Sequence, residues 1–285
     1  MENPKNIYYV EDRFVPADQA VIPVDDLAIL RGYGVFDLIR TYRGKALFLT
    51  AHIDRLLQSA EKVGLNALPW SRNELIRIVI DTLRKNPHHQ ESNVRIVITG
   101  GSSTDFMTPQ GRPRLLVLAT PRPLLPESWY IVGVKIITVQ TGRRITGAKS
   151  IDYLPATIAL QTAKEKGAVE ALYIDRDGWV SECTTSNLFA FIGSKLVTPG
   201  SGILSGITRG VILELARDCF PVDIRNPSLD ELLTAQEIFI TGTNKGLVPV
   251  VQVDDTVIGN GRPGERTRRL MEMLASHTER LASEN

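Results

Sequence analysis

Residues 170–199 read EALYIDRDGWVSECTTSNLFAFIGSKLVTP, and this run decides the fold. Short stretches rich in β-branched and aromatic residues are separated by two turn signals, Arg176-Asp177-Gly178 and Gly193-Ser194-Lys195, so the run reads as consecutive hairpins. Glu182 falls inside one of these strands among apolar neighbours, which buries at least part of its carboxylate. A buried carboxylate needs a cationic or hydrogen-bonding partner, and an arginine or a protonated ring nitrogen would serve equally.

Outward from this centre, strand and helix patterns alternate. GITRGVILELARDCF reads as a helix, EIFITGT as a strand, and a last helix starts at Gly264. On the other side, VGVKIITV is a strand, and ATIALQTAKEKGA is a helix ending at Gly167. ATPRPLLPESWY holds Pro121, Pro123 and Pro126 and suits a connector. Ahead of it, IYYVEDRFVP begins as a hairpin, and GVFDLIRTYRGKALFL makes two strands around Arg43-Gly44. AHIDRLLQSAEKVGL carries a helical stripe of Ile53, Leu56, Leu57, Ala60 and Val63, with Thr50 as its expected N-cap. ELIRIVIDTLRKN is a second helix, and VRIVITGG and RLLVLAT are buried strands. The fold class is therefore α+β in two domains: 1–119, a linker at 120–129, and 130–285.

Bulk properties exclude several functions. Thirty-three basic against 32 acidic residues leave a net charge of +1, which gives no field for nucleic acid or a membrane surface. The first residues, MENPKNIYYVEDRF, hold no apolar signal core, and no stretch approaches the ~18 apolar residues of a span, so the chain is expected in the cytoplasm. Cys183 and Cys219 suggest no disulfide framework, Cys183 reading as a small core residue, and the four histidines lack zinc-site spacing, so no metal is expected.

Four features could each hold part of one ligand. ILSGITRGVILEL (203–215) opens a helix at Gly206-Ile207-Thr208, where free N–H groups and a hydroxyl suit a phosphate, although Thr208 is equally an ordinary cap. TGTNKG (241–246) follows a strand and offers an anion nest or a plain turn. Arg55 is polar beside an apolar stripe and by itself reads as a solvated residue. Lys149, in RRITGAKSIDYLP, is the single lysine of its segment.

Taken in order, Arg55, KSIDYLP, EALYIDRDGWVSECTTSNLF, TPGSGILSGITR and EIFITGT resemble the class IV aminotransferases that use pyridoxal 5'-phosphate, and the resemblance runs from LRGYGVFD to IGNGRPGERTRRL. It implies fold type IV, with a smaller N-terminal α/β domain and a larger C-terminal pseudo-barrel α/β domain. It also implies that Lys149 carries the cofactor as a Schiff base and shuttles the proton, while Glu182 holds the pyridine nitrogen protonated. Arg55, Gly206, Ile207, Thr208 and Thr243 would hold the phosphate, Leu204 would pack on the ring, Tyr153 would lie near the phenolic oxygen, and Asn187 would sit just beyond Glu182. Substrates would be an amino acid and a 2-oxo acid, met by Arg31, Phe36, Arg40, Arg95, Thr243 and Asn244, and the family's homodimers imply a dimer here.

Three activities resemble this chain. Phe36 and Arg40 match branched-chain enzymes; typical D-amino acid enzymes carry tyrosine at the first position. Arg31 instead stands where branched-chain enzymes have a tyrosine, and a guanidinium there favours a carboxylate. Arg31 with Arg95, and the loop GGSSTDFMTPQGRP, resemble a divergent group of D-amino acid transaminases that clamp the α-carboxylate from two sides of a dimer. The expectation is D-amino acid transamination with 2-oxoglutarate or pyruvate, the L-branched-chain activity being the alternative. An aminodeoxychorismate lyase ranks third, because Asp37-Leu38-Ile39 lacks the expected hydroxyl. A non-catalytic binding protein would need neither Lys149 nor Glu182.

Overall fold

A computed structural model describes residues 5–284. The chain divides into two compact units. The first runs to Pro123 and takes in Ala148–Asp152 and the chain from Leu281 onward, and the second comprises Leu124–Gly147 and Tyr153–Arg280.

The first unit is a six-stranded antiparallel sheet with two long helices on one face. Its strands are β1 (Ile7–Val10), β2 (Arg13–Pro16), β3 (Gly34–Tyr42), β4 (Lys45–Ala46), β5 (Ser92–Thr99) and β6 (Arg114–Pro121), in the order β2-β1-β6-β5-β3-β4. Along β3, Val35, Asp37, Ile39 and Thr41 turn inward, as the period of two requires. Against that face lie α2 (Leu49–Lys62) and α3 (Arg72–Arg84), which follow the short α1 (Leu27–Arg31). Val35, Ile39, Val94, Ile96, Ile98 and Val117 pack on Ile53, Leu56, Leu75 and Val79 to form the core.

The hairpin expected at Arg43-Gly44 is present, with both residues left-handed (φ 52° and 74°), the conformation a two-residue hairpin turn needs. Its second strand is shorter than expected, because the chain enters α2 at Leu49. Thr50 is not the N-cap: that place belongs to Phe48, itself left-handed at φ 51°, and Thr50 lies inside the first turn. Helix α3 is opened by a capping box, the reciprocal pair of Ser71 and Glu74.

The second unit is built on nine strands. These are β7 (Val134–Gln140), β8 (Glu170–Ile174), β9 (Val180–Cys183), β10 (Asn187–Ile192), β11 (Lys195–Thr198), β12 (Val222–Ile224), β13 (Glu237–Gly242), β14 (Gly246–Val253) and β15 (Thr256–Val257). They run β12-β11-β10-β13-β14-β7-β8-β9, with β15 beside β14. Apolar residues of β7, β8, β9, β10, β13 and β14 meet in one cluster, so the sheet curls around them as the pseudo-barrel expectation required. β14 was not read from sequence. Its Pro249 is tolerated because pairing with β7 starts only at Val250.

Helices α4 (Ser128–Ile131), α5 (Leu154–Glu165), α6 (Ile207–Ala216), α7 (Leu229–Leu233) and α8 (Glu265–Glu284) complete the chain. Small residues of α5, Ala159 and Ala163, bring it close against Ile137 and Ala171.

Candidate active site

In the first unit, Lys149 is held by its backbone. Phe36 N–H donates to Lys149 O at 2.9 Å, Ile151 N–H to Gly34 O at 3.0 Å, and Ser150 bridges Val35, so residues 149–151 form a strap beside the start of β3. Lys149 N–H donates to Ser59 Oγ of α2 at 3.1 Å. With its main-chain groups committed, the lysine has a fixed point of departure, and its Nζ lies 4.7 Å from the Phe36 ring centroid.

Arg55 is not solvated. It is buried on the inner face of α2, where its Nε and Nη2 donate to the two oxygens of Asp37 at 2.8 and 2.7 Å. His52, one turn earlier, meets Asp37 Oδ1 at 2.8 Å through Nδ1. Burial alone would raise the Asp37 carboxyl, but Arg55 and His52 outweigh it and hold it well below the usual carboxylate range. Burial, with Arg55 and Lys149 nearby, lowers His52 against the pull of Asp37, leaving a neutral ring at pH 7. The fork geometry is bidentate, so the direction of the guanidinium is set by Asp37. Asp37 was missed as an organising residue, yet it sits at an inward position of β3, where a charge demands a partner.

The other face of β3 and β5 carries the expected substrate residues. Strand register sets Phe36 opposite Val97, Leu38 opposite Arg95 and Arg40 opposite Asn93. Arg95 is exposed, and its guanidinium carbon lies 5.8 Å from the Phe36 ring that Lys149 also approaches. Asn93, unread in the sequence, is buried with no partner for its Oδ1. Arg31 lies elsewhere: it is exposed in the last turn of α1, with Nη1 donating to Leu30 O at 2.7 Å.

In the second unit, Glu182 is buried at the end of β9. Its Oε2 accepts from Leu204 N–H at 2.9 Å and Asn187 Nδ2 at 3.2 Å, and its Oε1 accepts from Arg143 Nε at 2.7 Å. Arg143 was not foreseen, because it sits in an irregular segment with no periodicity. Burial would lower its guanidinium, but Glu182 and Tyr153 prevail and raise it. Asn187 also donates to Leu204 O at 2.9 Å, so one amide ties the acid to the segment leading into α6.

Helix α6 begins at Ile207 with Gly206 as its N-cap and no side-chain cap, which leaves its first N–H groups for a ligand. A Cβ on Gly206 would stand 2.0 Å from Asn187 Oδ1, so only glycine permits this approach. Thr241, facing Asn187 across the β10–β13 ladder, is buried with an unpartnered hydroxyl. The turn bearing Thr243 and Asn244 follows it. An orphaned hydroxyl and an uncapped helix start fit a phosphate, and a buried acid with its own arginine fits a ring nitrogen. The residues present therefore fit pyridoxal phosphate.

Comparison with known proteins agrees. The model of the amino-transferase class IV family matches residues 34–253. Over 275 residues, 93% of each chain, this protein is 36% identical to a putative branched-chain-amino-acid aminotransferase of Methanocaldococcus jannaschii. It is 31% identical over 269 residues, 92% of each chain, to a D-alanine aminotransferase of Listeria innocua. A solved T.th. branched-chain amino acid aminotransferase with pyridoxamine 5'-phosphate superposes with a TM-score of 0.88 at 26% identity, covering 96% of this chain and 94% of that one. The chain belongs to the class IV aminotransferases. It has fold type IV and is an aminotransferase.

Proposed function

We propose that this enzyme is a pyridoxal-phosphate-dependent transaminase moving an amino group between a D-amino acid and 2-oxoglutarate or pyruvate, working in the cytoplasm as a homodimer. When bound, the cofactor supplies an electron sink that eases loss of the substrate's α-proton. Lys149 Nζ carries the cofactor and moves that proton. Glu182, with Arg143 as its counter-charge, would accept from the ring nitrogen. Tyr153 would lie near the phenolic oxygen, and Leu204 would pack on the ring. The phosphate would be held by Arg55, aimed by Asp37, and by Thr208, Thr243 and the N–H groups after Gly206.

The observation that carries the substrate reading is Arg95. Its exposed guanidinium approaches the Phe36 ring at 5.8 Å and the Lys149 amine approaches the same ring at 4.7 Å, so a carboxylate met by Arg95 would lie beside the ring that the amine also approaches. Arg31 would add a second clamp from the partner copy. The L-branched-chain reading is favoured by a different observation, the apolar Phe36, Leu38 and Val97 on that face and the 36% identity to the Methanocaldococcus protein.

Separate half-reactions with D-glutamate, D-alanine, L-glutamate and L-leucine, followed through the cofactor's absorbance, decide between them. Conversion by the D-amino acids is expected, and conversion by L-leucine alone overturns the choice. Arg95→Ala should raise KM for D-glutamate far more than it lowers kcat.

A further inference from the structure

The second unit holds a buried polar cluster that the cofactor residues leave unused. Glu170, the first residue of β8, is fully buried. It accepts from Lys245 Nζ at 2.5 Å, Ser186 Oγ at 2.9 Å, the Thr185 amide at 3.2 Å, and the hydroxyls of Thr184 and Thr185. Lys245 Nζ also donates to Thr185 Oγ1 at 2.6 Å and Ser186 Oγ at 3.1 Å, which occupies all three ammonium protons. Burial alone would raise the Glu170 carboxyl, yet Lys245 and the hydroxyls hold it below its ordinary value.

Two turns converge on this carboxylate. Residues 184–186 join β9, which carries Glu182, to β10, which opens with Asn187. Residues 243–245 join β13, which carries Thr241, to β14, and they include Thr243. The Lys245 carbonyl is fixed as well, accepting from Tyr130 OH at 2.9 Å. Each turn adjoins one part of the proposed cofactor grip: the strand entering the first carries the nitrogen acceptor Glu182, and the second carries the phosphate donor Thr243. A buried ion pair is no better for stability than a well-packed apolar pair, but its directional bonds fix two backbones in one register. A rigid ring with a phosphate arm needs that fixed distance, since small misplacements are costly.

We infer that Glu170 and Lys245 are positioning residues that set the spacing between the Glu182 carboxylate and the phosphate-binding turn at Thr243. This rests on the cofactor reading given above.

The test titrates purified apo-protein with pyridoxal phosphate and with pyridoxal, alongside thermal melting, for wild type, Lys245→Met, Lys245→Arg and Glu170→Gln. Lys245→Met should weaken pyridoxal phosphate by about tenfold while pyridoxal changes by less than about twofold. Lys245→Arg should recover part of the loss. Thr185→Val, which removes one donor and no charge, gives the same reading in a milder form should Lys245→Met fail to fold. Equal affinity for pyridoxal phosphate in folded variants, or parallel loss for both compounds, overturns the inference. A wild-type apo-protein that takes up neither compound brings down the cofactor reading itself.

Discussion

Asp37 shows how one inward charge organises its surroundings. It is completely buried, so replacing it with Asn takes the Asp37 charge away from Arg55, and breaking such a pair costs about 3 kcal/mol. Asp37→Asn should therefore lower the melting temperature and also loosen phosphate binding, because Arg55 loses its direction. Chemical denaturation and cofactor titration measure the two effects. The same cluster makes the first unit sensitive to acid. His52 has its folded pKa below the ordinary 6.5, so the unfolded chain takes up the proton first and stability falls as pH drops through about 6.5. Asp37, also depressed, keeps its contribution above its ordinary 3.8 and loses it only as pH falls toward its lower folded value. The expected outcome is a decline in stability from pH 7 to pH 5 that belongs to His52. His52→Asn should flatten that slope, and a slope unchanged in the variant would assign it to another group.

Among the elements, α6 is where close approach should govern the proposed cofactor binding. Gly206→Ala would drive a methyl group into Asn187, which supports Glu182, and should weaken cofactor binding by about tenfold. Gly210, four residues on in the same helix, has nothing within 4 Å of an added Cβ, so Gly210→Ala should leave binding alone and stabilise the protein by about 0.5–1 kcal/mol. Equal behaviour of the two variants would show that the helix start plays no part. The element scale is also where the sequence was most legible. GVFDLIRTY and NLFAFI announce their strands by composition and alternation, and Glu182 could be read as buried from its neighbours alone. Helix ends were less legible: Phe48 caps α2 from a left-handed conformation that no composition rule assigns to phenylalanine. Arg143 and Lys245 lay beyond reach because their partners are 39 and 75 positions away, in segments that only tertiary folding brings together.

At the scale of the whole molecule, the exposed apolar residues mark where the proposed second copy would bind. Val21 and Val24 precede α1, Ile29 lies on it, and Phe106 and Met107 stand on the loop after β5. These segments are tied together: Leu27 N–H donates to Gly101 O at 3.0 Å, Ser103 N–H to Asp25 O at 3.3 Å, and Asp26 bridges Ser102. Bonded in this way, the loops present five apolar side chains on firm supports, which is costly in water unless a partner covers them. Arg31 is exposed in the last turn of the same α1, and the proposed pairing would deliver it to a neighbouring copy. Light scattering should give twice the chain mass of 31.5 kDa, and the double change Val24→Asp with Met107→Asp should halve it. The D-glutamate half-reaction joins this surface to the substrate reading. In the separated chains its KM should rise to match that of dimeric Arg31→Ala, because both would lack the same guanidinium. A wild type that stays monomeric at tens of micromolar and still turns over D-glutamate would leave Arg95 as the sole clamp and remove Arg31 from the site.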